Sequence, residues 1–357
     1  MTDPDLRIDP AALTQFAAAV LTAAGARPAD ADAVAAHLVD ANLKGHDSHG
    51  VGLLPVYLHH IRKGLVSLEA EDRVLRETAV LLQVDADGGW GAPAGIRLID
   101  RAADKAHAEG LAAATLGHAH HLGRIGAYAE HAAATGLASI HFVNVTDHAP
   151  LVAPFRGSDA RFGTNPVCIG FPGTAKRPPF ILDMATSRIA LGKVRVAAAK
   201  GLTVPQGSLI DEKGMPTTDP SGMAGFELTG ALTPMGRHKG YGLAFACELL
   251  AGLLSGGGTI QPGHERRGGL QNGLFSVLVD PGAFGERDWM DAEIEALTDY
   301  VRASPPMDWD SPVLCPGDPE RAMAGKRSRE GIPVDAETVE RLNTAAEKVG
   351  AKARLDV

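Results

Sequence analysis

The hydrophobic pattern of the chain changes its period once, and this change restricts the possible folds more than any other feature. Up to about residue 65, apolar side chains recur every three or four positions, the spacing of amphipathic helices. The spacing predicts a helix that Asp9 and Pro10 open and Gly25 closes, a second over 28–45 and a third over 52–63. No strand pattern precedes about residue 78.

From that point the sequence alternates between strand and helix patterns. Short apolar runs rich in β-branched residues predict strands at 78–84, 111–116, 137–143, 167–171, 180–183 and 275–279. Helical patterns occupy 92–108, 125–135, 241–254, 291–303 and 335–349. Turn-forming residues crowd 201–238 and predict a long loop there. The alternation predicts an α/β fold in which helices cover a sheet.

The length of 357 residues favours two structural units. We expect residues 1–75 to form a helical segment that packs with residues 290–357. Residues 76–289 are then an α/β core that includes the long loop 201–238.

Composition excludes several classes of protein. The 34 basic and 43 acidic residues give a formal charge of −9, which opposes binding to nucleic acid. Cys168, Cys247 and Cys315 form neither a disulfide framework nor a thiolate zinc pattern, as expected in a reducing compartment. The chain starts with a polar segment, and its apolar runs are shorter than a membrane span. We therefore expect a cytoplasmic protein without membrane association.

Two histidine-rich segments are candidate sites. In the first, Asp47, Ser48 and His49 are consecutive, and these are the residue types of a nucleophilic triad. Consecutive residues rarely converge as a triad requires, and no G-x-S-x-G turn is present. Capping of the following helix by Asp47 or Ser48 is the competing interpretation.

The second segment, 117–126, lies between a predicted strand and a predicted helix, where α/β enzymes place ligands and catalytic groups. Its histidines are suited to moving a proton, orienting an anion or binding a metal. The competing interpretation is that they are three partly exposed loop histidines. The alternative function is a metal-dependent hydrolase that uses His118, His120 and His141, although no H-E-x-x-H spacing supports it. A ligand-binding protein without turnover is a third possibility. Neither G-x-G-x-x-G nor a P-loop motif is present.

Further segments resemble the malate/L-lactate dehydrogenase family, which lacks a Rossmann fold. Besides Pro55 and Tyr57, the matching segments are DSHG at 47–50, HLG at 121–123, GTNP at 163–166, DMATS at 183–187, GK at 192–193, PTTDP at 216–220, KGYGL at 239–243 and PG at 316–317. They follow one another over almost the whole chain, so the combination is far more specific than any single motif.

The resemblance implies reversible hydride transfer between a nicotinamide cofactor, NAD or NADP, and a 2-hydroxy or 2-oxo acid. It implies a homodimer and a non-Rossmann mixed-sheet α/β core that binds NAD(P), flanked by helices from both chain termini. His121 is then the proton carrier, and Ser48 and His49 lie beside the substrate. No metal is implied. The residues matched to cofactor binding are Asp183, Met184, Ala185, Lys239, Gly240, Pro316 and Gly317.

The chain departs from the family pattern at Leu53. Many family members have an arginine there, which can pair with the substrate carboxylate. Arg124 stands three residues after His121, so we expect it to hold the carboxylate through two parallel hydrogen bonds. Leu53 then lines an apolar pocket, and the substrate has a bulky or apolar side chain. The competing interpretation is that Arg124 is an exposed residue of the first helical turn or pairs with a neighbouring acid.

Overall fold

The computed structural model describes residues 6–225 and 227–356. The helices are α1 (Pro10–Ala23), α2 (Pro28–Leu43), α3 (Leu54–Lys63), α4 (Gly91–Glu109), α5 (Gly126–Ala134), α6 (Leu191–Ala199), α7 (His238–Cys247), α8 (Arg287–Arg302), α9 (Asp318–Glu330) and α10 (Ala336–Lys348). The strands are β1 (Leu6–Ile8), β2 (Arg73–Glu77), β3 (Leu81–Asp85), β4 (Leu111–His120), β5 (Ala138–Thr146), β6 (Val167–Phe171), β7 (Phe180–Met184), β8 (Leu209–Ile210), β9 (Pro216–Thr217), β10 (Ala231–Leu232), β11 (Gln271–Val279) and β12 (Ile332–Val334).

A seven-stranded mixed sheet, in the order β2-β3-β4-β11-β5-β6-β7, forms the centre of the molecule. β3 and β4 are parallel and are joined by α4, whereas the other neighbouring strands are antiparallel. The pairing of β4 with β11 shifts register between Asn272 and Leu274. The predicted class, an α/β fold with a mixed sheet flanked by helices from both termini, is confirmed.

Two large hydrophobic cores and two smaller clusters hold the described structure together. The first lies between the sheet and the helices α4 and α5, and it is built largely from alanine and leucine side chains. In the second, the terminal-helix core, apolar faces of α1, α2 and α3 pack with β12 and α10, so both ends of the chain share one core. The pairing of β1 with β12 joins the two ends directly. Across the described residues, no helix is both long and apolar enough to span a membrane.

Several elements differ from the sequence predictions. β1 and β2 precede residue 78; β1 has three residues and every residue of β2 is exposed, so neither produces a buried alternating pattern. α9 lacks an apolar stripe, since its buried residue is Arg327, and it was missed together with the short α6. The helix predicted over 241–254 is α-helical to Cys247 and continues as a π-helix, Glu248–Leu253.

Candidate active site

His121 is the first residue after β4, where the chain leaves the sheet towards α5. Gly123 makes the turn possible, because its φ of 69° is left-handed and an added Cβ would lie 2.4 Å from His37 Nε2. The same His37 nitrogen accepts a hydrogen bond from Arg124 N at 3.0 Å. The turn therefore fixes the direction in which the chain leaves His121.

The three residues predicted to be catalytic lie together. Tyr57 Oη is 2.7 Å from His121 Nδ1. The His49 ring stacks on the His121 ring with 5.7 Å between their centroids and 19° between their planes. Ser48 Oγ lies 3.1 Å from His49 Nδ1. Because Ser48 is exposed and His121 is half-buried, the group opens to solvent on the Ser48 side.

Asp47 fixes the turn that carries Ser48 and His49. Its carboxylate accepts a hydrogen bond from Asn42 Nδ2 at 2.6 Å and two from Arg327, at 2.6 and 3.0 Å. In the described structure no side chain caps this turn or α3, so the capping interpretation is wrong. Asp47 instead links α2 to α9 and so holds in place the turn that carries His49.

Burial keeps the histidines of this group neutral. It lowers the pKa of His121 well below the usual 6.5, and the proximity of His49 and His120 lowers it further. Burial also lowers the pKa of His49 to about 4 and raises the pKa of Tyr57. At pH 7 the His121 ring is therefore neutral and can accept a proton.

The histidines of the metal alternative do not converge. His118 Nδ1 lies 3.3 Å from Asp85 Oδ2, and His120 Nε2 lies 2.8 Å from His60 Nδ1. His141 is fully buried in the sheet between two serine hydroxyls. Within residues 6–225 and 227–356, no three His, Cys, Asp or Glu side chains are grouped as a metal site requires. In the described residues, the metal-dependent hydrolase alternative therefore lacks the metal site that it requires.

Arg124 is not placed to hold a substrate. It is 2% exposed, and its Nη2 lies 2.9 Å from Asp40 Oδ2 and 2.5 Å from Glu130 Oε2. Burial alone would raise the pKa of Asp40, yet Arg124 beside it brings that pKa below its usual value. The expectation of a carboxylate anchor is thus corrected, because the guanidinium is already paired with carboxylates of its own chain.

Segments matched to cofactor binding meet beside β7. Asp183 Oδ2 accepts a hydrogen bond from Gly126 N, the first residue of α5, at 2.7 Å. Burial raises the pKa of Asp183. Ile181 N donates to Pro316 O at 3.4 Å, which places Pro316 and Gly317 alongside the strand. Met184 and Ala185 follow Asp183 and are half-buried.

Two hydrogen bonds join the start of α7 to the same strand end. Met235 N donates to Thr186 O and Gly240 N donates to Met235 O, both at 2.8 Å. An added Cβ on Gly240 would lie 2.3 Å from Met235 O, so this close approach requires glycine. Lys239, the preceding residue, is exposed.

Comparison with known proteins identifies the family of the chain. The family model for malate/L-lactate dehydrogenase matches residues 8–343. The chain belongs to this family. Hydroxycarboxylate dehydrogenase B of Escherichia coli K12 is 41% identical over 96% of this chain and 94% of its own length. L-lactate dehydrogenase of Cupriavidus necator is 44% identical over 84% of this chain and 86% of its own. The solved malate dehydrogenase of Pyrococcus horikoshii has a TM-score of 0.85 and 30% identity, covering 99% of this chain and 98% of that one.

Membership of the malate/L-lactate dehydrogenase family makes the chain a dehydrogenase, and the geometry adds residues that the sequence did not suggest. The sequence matched Tyr57 to a family motif but gave it no role in the site, and His60 was not among the predicted site residues. Their spacing of three residues on α3 places them on one helix face, which is a signal the sequence contained. Asn272 accepts a hydrogen bond from Leu122 N at 2.8 Å, and no sequence pattern pointed to that contact.

Proposed function

We propose that this dehydrogenase transfers a hydride reversibly between a 2-hydroxy acid and NAD or NADP, with His121 as the proton carrier. The observation that supports the proposal most is the His121 imidazole, half-buried, neutral at pH 7 and held at Nδ1 by the Tyr57 hydroxyl. Such a group can take the hydroxyl proton in oxidation and return it in reduction.

The Tyr57 contact selects the nitrogen that moves the proton. When Nδ1–H donates to the Tyr57 oxygen, the lone pair on His121 Nε2 can accept the substrate hydroxyl proton. In oxidation the O–H and C2–H bonds of the hydroxy acid break and its C=O bond forms. The proton goes to His121 Nε2, and the hydride leaves with its electron pair. A bound nicotinamide ring supplies the hydride acceptor, and reduction reverses each change.

Ser48 and His49 are proposed to orient the substrate. The Ser48 hydroxyl is exposed beside the His49–His121 stack, so it can hydrogen-bond a substrate oxygen. With its pKa lowered to about 4, His49 is neutral at pH 7.

The residues present fit a nicotinamide dinucleotide. Lys239 is exposed at the first turn of α7, where its ammonium group can neutralise a phosphate. The hydrogen bonds from Gly240 to Met235 and from Met235 to Thr186 keep this turn close to the end of β7. The residues proposed to hold the dinucleotide are Asp183, Met184, Ala185, Lys239, Gly240, Pro316 and Gly317.

Leu53 remains the proposed lining of a pocket for the substrate side chain. It is half-buried at the end of the 3-10 turn Val51–Leu53 and packs against the core that includes Tyr57. The proposed preference for bulky or apolar side chains rests on Leu53 alone, since Arg124 is paired within the chain.

The test follows the absorbance of reduced nicotinamide with small, dicarboxylic and bulky apolar 2-oxo acids. Each acid is assayed with NADH and with NADPH, with and without a chelator. We expect consumption of reduced cofactor that the chelator does not change, fastest with the bulky apolar acids. Metal-dependent hydrolysis without cofactor, or cofactor binding without turnover, would contradict the proposal.

A further inference from the structure

A chain of buried polar side chains runs from the π-helix to the residue that follows His121. Its members are Asn272, Asn144 and Glu248, which are 3%, 0% and 5% exposed. They come from β11, β5 and the π-helix. Polar groups buried so completely normally have a structural or functional partner.

Hydrogen bonds connect these residues one after another, from Glu248 through Asn144 to Asn272. Glu248 Oε2 accepts from Asn144 Nδ2 at 3.1 Å, and the Asn144 backbone oxygen accepts from Asn272 Nδ2 at 2.9 Å. Asn272 Oδ1 accepts from Leu122 N at 2.8 Å. Asn272 is thus the last member, in contact with the peptide group immediately after His121.

The backbone around Asn272 is irregular in a way that directs its side chain. Asn272 pairs with Ala119, and the register between β11 and β4 shifts before the next pair, Leu274 with Leu116. Such bulges redirect side chains near active sites, and π-helical turns are frequent at functional sites.

We infer that Asn272 is a positioning residue that fixes the direction of the His121 imidazole through the Leu122 peptide. This inference rests on the proposed role of His121. The backbone of Leu122 is held at both of its polar groups, since Leu122 N donates to Asn272 Oδ1 and Leu122 O accepts from Tyr128 Oη at 2.6 Å. With both groups of Leu122 fixed, the His121 ring is directed towards Tyr57 Oη.

Loss of the Asn272 contact has a defined electrostatic consequence. The titratable groups that face His121 are His37 from α2, His49 from the turn Asp47–His49, Tyr57 and His60 from α3, and His120 from β4. Burial among these groups lowers the pKa of His121 well below 6.5. A ring released from this position gains water, so its pKa rises towards the ordinary value.

Asn343 provides a matched control. It is 7% exposed, and like Asn272 it accepts from one backbone N–H and donates to one backbone oxygen, both in Leu355 at 2.9 Å. Asn343→Ala therefore removes an equivalent pair of buried hydrogen bonds in the terminal-helix core. The milder Asn272→Ser is included so that a folded variant is available for measurement.

The experiment titrates the His121 imidazole by NMR in the full-length protein. It also measures kcat and KM for the 2-oxo acid that is reduced fastest in the panel described above. We expect Asn272→Ala to raise the His121 pKa by about half a unit or more and to lower kcat about fivefold at nearly constant KM. Asn272→Ser should raise the His121 pKa and lower kcat by smaller amounts, and Asn343→Ala should change neither quantity.

Equal behaviour of the Asn272 and Asn343 variants, in both pKa and kcat, would overturn the inference. The titration does not depend on turnover, so it separates this inference from the proposed function. If replacement of His121 leaves turnover intact, the proposed function fails, whereas an unchanged His121 pKa in both Asn272 variants refutes the positioning role.

Discussion

Tyr57 Oη and His121 Nδ1 lie 2.7 Å apart, although 64 positions separate the two residues in the chain. Tyr57 belongs to α3 in the terminal-helix core, whereas His121 leaves the central sheet. The candidate active site therefore depends on how the terminal helices pack on the sheet.

Tyr57→Phe tests this contact without creating a cavity, because the ring remains in place. Loss of one hydrogen bond of about 0.5–1.5 kcal/mol should lower kcat roughly 2- to 12-fold. Steady-state kinetics measure the change. Tyr300→Phe is the control, since Tyr300 is 79% exposed. Equal kcat values in both variants would show that the hydroxyl does not orient His121.

The stability of the protein should decrease as the pH falls below about 6.5. Burial lowers the pKa of His37 to about 4 and the pKa values of His120 and His141 to about 3. Below 6.5 the unfolded chain binds these protons while the folded chain does not. Each histidine then removes about 1.4 kcal/mol of unfolding free energy per pH unit. Urea unfolding at about pH 7.5 and about pH 5.5 measures the loss, and equal stability would contradict it.

Arg124→Leu should affect folding more than substrate binding. The substitution removes the buried partner that Asp40 and Glu130 share, although both keep Lys44. Loss of these charge-assisted hydrogen bonds should cost about 1.5–3 kcal/mol of unfolding free energy. Arg124→Lys keeps the charge and should recover part of that loss. Urea unfolding and the KM for 2-oxo acids are measured on the same samples. A steep rise in KM with unchanged stability would restore the carboxylate-anchor prediction.

The homodimer stays a prediction, but the structure changes where the contact is expected. The apolar faces of α1, α2 and α10 are buried within the chain itself. Large apolar side chains remain exposed on α8 and the segment after it, at Trp289, Leu297, Tyr300, Met307 and Trp309. Light scattering should give twice the chain mass of 37.1 kDa, and Trp289→Glu with Tyr300→Glu should halve it. A monomer in the unsubstituted protein would refute this.

The fold was predictable where local signals agree with tertiary packing. α1 and α2 each begin with a proline and carry apolar residues at helical spacing, and both lie close to their predicted positions. α9 was missed because its contribution to packing is an arginine paired with Asp47, which has no periodic apolar signature.

The candidate site was predictable only in part. Family motifs pointed to Ser48, His49 and His121, and these residues lie together in the structure. The position of Arg124 was mispredicted because its side chain is held by Glu130, six residues further on, and by Asp40, 84 residues away. No local pattern in a sequence encodes such a long-range partner.

The most direct test of the account is the turnover of His121→Ala, followed by the absorbance of reduced nicotinamide. Cofactor affinity is measured separately by fluorescence, and His131→Ala, an α5 histidine 2.6 Å from Asp100, is the matched control. We predict that His121→Ala loses about 10²- to 10⁴-fold in kcat with nearly unchanged cofactor affinity, while His131→Ala keeps normal turnover. Near-normal turnover of His121→Ala would contradict the account, because the proton would then be carried by another group.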